Sequence, residues 1–325
     1  MKVQKSFILF TLSLICLCCS SQSPMVHDPV MIRQGDTYYL FCTGMGISSW
    51  NSKDLVNWEK GKPVFDKPPA WAVKDVPGFK GHIWAPDISF HNNLYYLFYS
   101  VSAFGKNTSC IGLATNTTLD QSSPDYHWTD HGKVVQSVPY RDFWNAIDPN
   151  LIVDEHGTGW LNFGSFWGGI KLVKLNSDFT KTDTTDEWYT LAKRPRDQLL
   201  DDSDPGNGAI EAPFIIRKGG YYYLFVSFDY CCRGLQSNYY IVAGRAADVK
   251  GPYLDRNGTK LSTGGGTIVC KGNEKWAGVG HNGICSYNGI DYIVFHGYLI
   301  SENGRPHLIV REIKWTADGW PEIIL

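Results

Sequence analysis

Short apolar runs alternate with polar turns along this chain, and the alternation repeats about every 60 residues. Each repeat opens on a polar residue, usually beside Pro, then gives a short apolar strand, a turn and an aromatic strand. His27-Asp28-Pro29 precedes Tyr38-Tyr39-Leu40-Phe41, and Trp84-Ala85-Pro86-Asp87 precedes Tyr95-Tyr96-Leu97-Phe98. Ile147-Asp148-Pro149 precedes Trp160-Leu161-Asn162-Phe163, and Glu211-Ala212-Pro213 precedes Tyr221-Tyr222-Tyr223-Leu224-Phe225. A looser fifth copy runs from His281-Asn282-Gly283 to Tyr292-Ile293-Val294-Phe295. The prolines lie 57, 63 and 64 residues apart, and Asn282 follows Pro213 by 69. Turn clusters such as Gly35-Asp36, Asn92-Asn93 and Asn288-Gly289 fall between the paired runs, as hairpin turns do. No long run has a 3.6-residue apolar period, so helices should be few.

A strand-built repeat of this length predicts an all-β, five-bladed β-propeller with four strands per blade. A pair of β-sandwiches would not explain the period. A weaker second repeat, Ser52 to Trp58 against Thr117 to Trp128, marks where a blade's outer strands would begin. One domain is expected over residues 23–325. Residues 1–22 read as an export signal, with Lys2 and Lys5 ahead of an apolar stretch from Phe7 to Cys18. That stretch is too short for a membrane span, which takes about 20 residues. Cys19 would be the lipidated first residue of a bacterial lipoprotein; the alternative is plain cleavage and a secreted protein.

Net charge is -2, with no basic block, so nucleic acid is set aside as a partner. Aromatic residues make up 14% of the chain, with 12 Trp and 18 Tyr. Strand packing explains most of them, and the Trp excess also suits stacking on sugar rings. Cys42, Cys110, Cys270 and Cys285 fall in strand-like runs and read as small buried hydrophobes. The Cys231-Cys232 pair allows either a vicinal disulfide or two thiols.

Equivalent positions of a closed ring converge on its axis, so Asp28, Asp148 and Glu211 should meet there. An isolated Asp-Pro is usually a turn starter, but two of them in near register with Glu-Ala-Pro suggest chemistry. Glycoside hydrolysis needs one protonated carboxyl group to protonate the leaving oxygen and one ionised partner on the other side of the bond. Glu211, set among Ala209, Ile210, Ala212, Pro213 and Phe214, is the candidate acid, because apolar surroundings favour the neutral form. Asp28 can orient a water. Asp148 is the third carboxylate, able to raise the acid's proton affinity. Asp87 follows its Pro and reads as structural.

These residues bring a family into view. The chain resembles glycoside hydrolase family 43, and within it the endo-1,5-α-L-arabinanases. The likeness is carried by His27-Asp28-Pro29, Trp84 to Ile88, Asn145 to Pro149, Gly164-Ser165-Phe166-Trp167, Ala209 to Pro213 and Gly280-His281-Asn282. Ser100 to Gly105 and Ser227 to Cys232 resemble the arabinanase group in particular. The resemblance implies an inverting hydrolase of internal α-1,5 bonds in plant arabinan, with Asp28 as base, Glu211 as acid and Asp148 tuning and orienting the acid. Exo-acting arabinofuranosidases and β-xylosidases share the three acids and are the nearest rivals. A sugar-binding propeller without catalysis is the rival from another class. The resemblance further implies Trp84 and Phe104 as sugar platforms, Asn145 and Ser165 as hydrogen-bonding partners of the arabinose with Phe166 beside them, and His281 near a calcium ion held mostly through water. Read from the residues alone, His281 is equally a hydrogen-bonding channel residue. Trp144, bulkier than expected, would narrow a subsite. The expected protein is a monomer, exported to the periplasm, outer membrane or medium, and attached to membrane only through an N-terminal lipid.

Overall fold

The computed structural model describes residues 23–183 and 188–325. The export signal and Cys19 therefore lie outside the described residues. The fold is a five-bladed β-propeller. Blade 1 is built from Val30–Gln34, Thr37–Cys42, Ser48–Ser52 and Glu59–Lys60. Blade 2 holds His82–His91, Leu94–Val101, Cys110–Asn116 and Thr129–Gln136, with Gly44–Met45 added along its inner edge. Blade 3 holds Asn150–Val153, Gly159–Phe163, Ile170–Lys174 and Tyr189–Ala192. Blade 4 holds Ile210–Lys218, Tyr221–Phe228, Tyr240–Ala246 and Thr267–Lys271. Apart from the added Gly44–Met45, the strands of each blade pair antiparallel in chain order, as short hairpin connections require.

Blade 5 differs from the expected four strands. Trp276–Tyr287, Ile290–Leu299 and Arg305–Glu312 form a three-stranded sheet. The N-terminal segment meets its free edge. The Leu308 N–H donates to the Pro24 carbonyl at 2.9 Å, and the Ser23 hydroxyl donates to the Leu308 carbonyl at 3.1 Å. The ring is thus shut by the two ends of the described chain. The only α-helix among the described residues is Ala70–Asp75. Trp58 and Trp128 each stand just before an outermost strand, as the second repeat predicted.

The aromatic doublets follow from having both faces of each blade covered. In a strand, successive side chains point to opposite faces. Tyr95 packs with blade 1 residues such as Phe41, while Tyr96 packs with Leu151 and Leu161 of blade 3. Tyr222 faces blade 3 and Tyr223 faces blade 5. Val294 and Leu308 close the circle against Met31 and Leu40 of blade 1. Five apolar layers therefore alternate with five sheets, and a strand buried on both sides reads as a continuous apolar run rather than an alternating one. Trp144, half-buried, packs into this scheme, with its ring 5.4 Å from Phe163 and 4.9 Å from Trp188.

The inner strands touch in order around the axis, and that of blade 5 touches that of blade 1. Each inner strand has, within it or two residues before it, a residue with left-handed backbone: Asp28, Ala85, Asp148, Ala212 and His281, at φ between 41° and 57°. In blades 2, 4 and 5 the ladder skips at this point, between Trp84 and Asp87, Glu211 and Phe214, and Gly280 and Gly283. Such a bulge re-aims the strand end and its side chains. Left-handed backbone is uncommon outside Gly and costs energy, so five in register mark a built feature of the hub.

Candidate active site

Counting from these left-handed seats corrects the register of the acids. Asp28 and Asp148 occupy the seat itself, whereas Glu211 stands one residue earlier, where the other blades have His27, Trp84, Ile147 and Gly280.

Each seat has its backbone N–H fixed by a side chain of the preceding blade, or of blade 5 for blade 1. Ala85 N–H donates to Thr43 Oγ1 at 2.8 Å, Asp148 N–H to Ser100 Oγ at 2.9 Å, and His281 N–H to Ser227 Oγ at 2.9 Å. Asp28 N–H donates to His296 Nδ1 at 3.1 Å. These acceptors lie at or near the end of the second strand of each blade, and the equivalent residue of blade 3 is Gly164, which has no side chain. There the Asp148 carboxylate takes over: its Oδ2 accepts the Ala212 N–H at 3.0 Å. Asp148 is thereby tied to the backbone next to Glu211. A further layer outward repeats the device. Asp87 accepts from Asn150 Nδ2 at 3.2 Å and Leu151 N–H at 2.9 Å, and Asn150 Oδ1 accepts the Ile215 N–H at 2.8 Å. Asp87 thus joins blades 2 and 3, in keeping with the structural role read from its position.

Asp28 lies among imidazoles. Its Oδ1 is 2.9 Å from His27 Nδ1 and 3.1 Å from His281 Nδ1, and its Oδ2 accepts the Thr43 hydroxyl at 2.6 Å. Burial alone would raise its pKa, but His27 and His281 outweigh burial and hold it well below the usual carboxylate range. Burial likewise opposes the charge on His281, yet Asp28 and Asp148 raise its pKa to about 9. His296 is fully buried and pushed well below its ordinary value, by burial first and then by His27. It is the neutral imidazole whose Nδ1 accepts the Asp28 N–H. Tyr298 braces the group, with its hydroxyl 2.7 Å from His27 Nε2 and accepting the Cys232 N–H at 2.7 Å.

Glu211 is buried and held at both oxygens. Tyr239 donates to Oε1 at 2.9 Å and Ser165 donates to Oε2 at 2.9 Å. Ser165, expected to contact sugar, therefore contacts the acid. A hydroxyl can turn from donor to acceptor, so Ser165 can serve either protonation state. Asp148 is raised to about 8, first by burial and then by the like charges of Glu211 and Asp28, against the pull of His281. Sequence reasoning placed the retained proton on Glu211. The structure shows the upward push at Asp148.

The sugar-facing expectations fall at different depths. Trp84 is half-buried, its indole N–H donating to His82 Nδ1 at 3.1 Å. Phe104 is 81% exposed on the loop after the second strand of blade 2. Asn145 is buried, and its Oδ1 has no partner among the described residues. Phe166 has left-handed backbone at the end of blade 3, with its ring 6.0 Å from that of Tyr230. Tyr140 and Phe143 add exposed rings ahead of the inner strand of blade 3. Sequence reasoning did not assign Thr43, Tyr239, His296 or Tyr298.

Calcium takes roughly six to eight oxygen ligands. The grouped donors among the described residues are His27, Asp28 and His296, with one carboxylate between two imidazoles and their nitrogens already hydrogen-bonded. His281 stands outside that group and directs Nδ1 to Asp28. This donor set does not fit a protein-built calcium cage. Both cysteines of the 231–232 pair are thiols.

Comparison with known proteins agrees with the geometry. The model of glycosyl hydrolases family 43 matches residues 23–321. The extracellular exo-α-(1→5)-L-arabinofuranosidase ArbA of Cellvibrio japonicus is 51% identical over 97% of this chain and 91% of its own length. The extracellular endo-α-(1→5)-L-arabinanase 1 of Bacillus subtilis is 41% identical over 93% and 88%. A solved α-L-arabinanase of Cellvibrio cellulosa, complexed with arabinohexaose, superposes with a TM-score of 0.91 at 51% identity, over 93% of this chain and 96% of that one. With three carboxyl groups gathered at the hub of a five-bladed propeller, the chain belongs to glycosyl hydrolase family 43 and is an arabinan-degrading enzyme of that family.

Proposed function

We propose that the chain hydrolyses internal α-1,5-L-arabinofuranosidic bonds of arabinan with inversion. The observation that carries the chemistry is the unequal dressing of the two key carboxyls. Asp28 is held ionised by imidazoles, and Glu211 is held by hydroxyls beside the proton-retaining Asp148. In the reaction a water oxygen bonds to the anomeric carbon while its proton passes to Asp28. The bond to the leaving oxygen breaks as that oxygen takes a proton from Glu211. Asp148 holds the backbone N–H of Ala212 and with it the strand end that carries Glu211.

Cleavage within the chain is supported by exposed rings on two loops, Phe104 on one and Tyr140 and Phe143 on the other. Such rings give successive sugars flat faces to stack on. The exo reading is favoured by the 51% identity to an exo-acting relative. Sizing the first products from linear arabinan decides between them. Mixed oligosaccharides are expected, and arabinose or one short product of fixed length from the outset would establish the exo reading. Proton NMR of the first-formed product is expected to show inverted configuration. The two relatives compared above are named extracellular, which supports export of this chain as well.

A further inference from the structure

The two oxygens of Asp28 are not equivalent, and the difference points to Thr43. An ionised carboxylate oxygen offers about two lone-pair sites. Oδ1 meets two imidazole nitrogens, His27 Nδ1 at 2.9 Å and His281 Nδ1 at 3.1 Å. Oδ2 has one protein donor, the Thr43 hydroxyl at 2.6 Å. The open site for a water is therefore on Oδ2, the oxygen Thr43 touches. The Thr43 hydroxyl is itself directed, because Oγ1 accepts the Ala85 N–H at 2.8 Å. With that lone pair engaged, its proton is aimed at Oδ2. The backbone of Thr43 is fixed too, its N–H donating to the His27 carbonyl at 3.0 Å. Of the side chains that hold the hub seats, Ser100 and Ser227 each take a backbone N–H, whereas Thr43 also donates to the base.

We propose that Thr43 is a positioning residue for the base. It fixes the oxygen that receives the water proton and couples it to the strand end that carries Trp84. This rests on the reading of Asp28 as base. A charge-assisted bond to the ionised form favours that form, so removing it should raise the pH at which the base ionises. Other groups face Asp28 as well: the imidazoles of His27, His281 and His296, the carboxyl of Asp148, and the thiols of Cys42 and Cys232 with the Tyr298 hydroxyl behind them. All of them stay in place in a Thr43 variant, so a change in the profile reports the lost hydroxyl.

The test is the pH dependence of kcat/KM on linear arabinan for the full enzyme and for Thr43→Val, a substitution of similar shape. The acid limb should move up by about one pH unit, with kcat lowered about 10-fold and KM little changed. Thr43→Ser should restore the wild-type profile. If Thr43→Val does not fold, Thr43→Cys, which keeps volume and replaces the hydroxyl by a weak donor, should show the same displacement. A wild-type acid limb in a folded Val or Cys variant overturns the proposal, as does failure of the Ser variant to restore the profile. Asp28→Asn is run beside them. If it keeps full activity, the base assignment itself has failed; if it is inactive while the Val variant keeps the wild-type limb, only the role of Thr43 has failed.

Discussion

Glu211 has one hydroxyl on each oxygen and a carboxyl neighbour that resists ionisation. This arrangement fixes the orientation of the group proposed to protonate the leaving oxygen. Glu211→Gln and Asp28→Asn should each lower kcat on linear arabinan by at least about 100-fold with the fold intact by circular dichroism. Tyr239→Phe, which frees Oε1, should lower kcat about 10-fold, since positioned proton donors depend on such partners. The proton on Asp148 sets an upper pH limit. Asp148 ionises at about 8, so kcat should decline above that value, and a profile still flat at about pH 10 would contradict the assignment. His281 adds a linked effect on stability. Its folded pKa of about 9 exceeds the unfolded value of 6.5, so its contribution is complete below 6.5 and is lost as pH rises through 9. The wild type should therefore exceed His281→Asn in Tm by a margin that shrinks between those limits, as thermal melts at a series of pH values would show.

At the scale of strands, the repeat was legible because each blade buries both faces of its middle strands, giving aromatic runs no surface strand would carry. The three acids were legible for the same reason: Pro marks the inner strand end in four copies. The one-residue offset of Glu211 was not, because Asp-Pro and Glu-Ala-Pro look alike until the left-handed seat is seen. Nor were Thr43, Ser100, Ser227 and His296, which read as ordinary polar residues closing a strand. Their spacings with Gly164, 57, 64, 63 and 69, run parallel to those of the prolines, and aligning second strands as well as first would have shown them. Tyr239 and Tyr298 carry no such signal; only folding brings them to Glu211 and to His27. The sheet layers also make a prediction. Phe98 is fully buried between blades 2 and 3, and Phe98→Ala should cost about 3–5 kcal/mol by chemical denaturation.

Across the whole molecule, five blades share five interblade layers, and no layer belongs to one blade alone. Loss of the seam should therefore be felt throughout. A chain beginning at Val26 lacks Ser23 and Pro24 and leaves the outer edge of blade 5 bare. It should melt several degrees lower in a single transition by calorimetry. A separate early transition would mean that blade 5 unfolds by itself.

The seam has a consequence for how the protein is made. Ser23 and Leu308 meet although 285 residues separate them. The edge strand Arg305–Glu312 is synthesised about 285 residues after Ser23, so Ser23 and Pro24 must wait until all five blades have been made. Contacts of such long sequence separation form late and slowly. Until they form, blades 1 and 5 each present an apolar face without its neighbour, and the five hub seats have not yet come together around Asp28, Asp148 and Glu211. Catalytic competence should thus appear in one step at the end of folding, after most of the secondary structure is already in place.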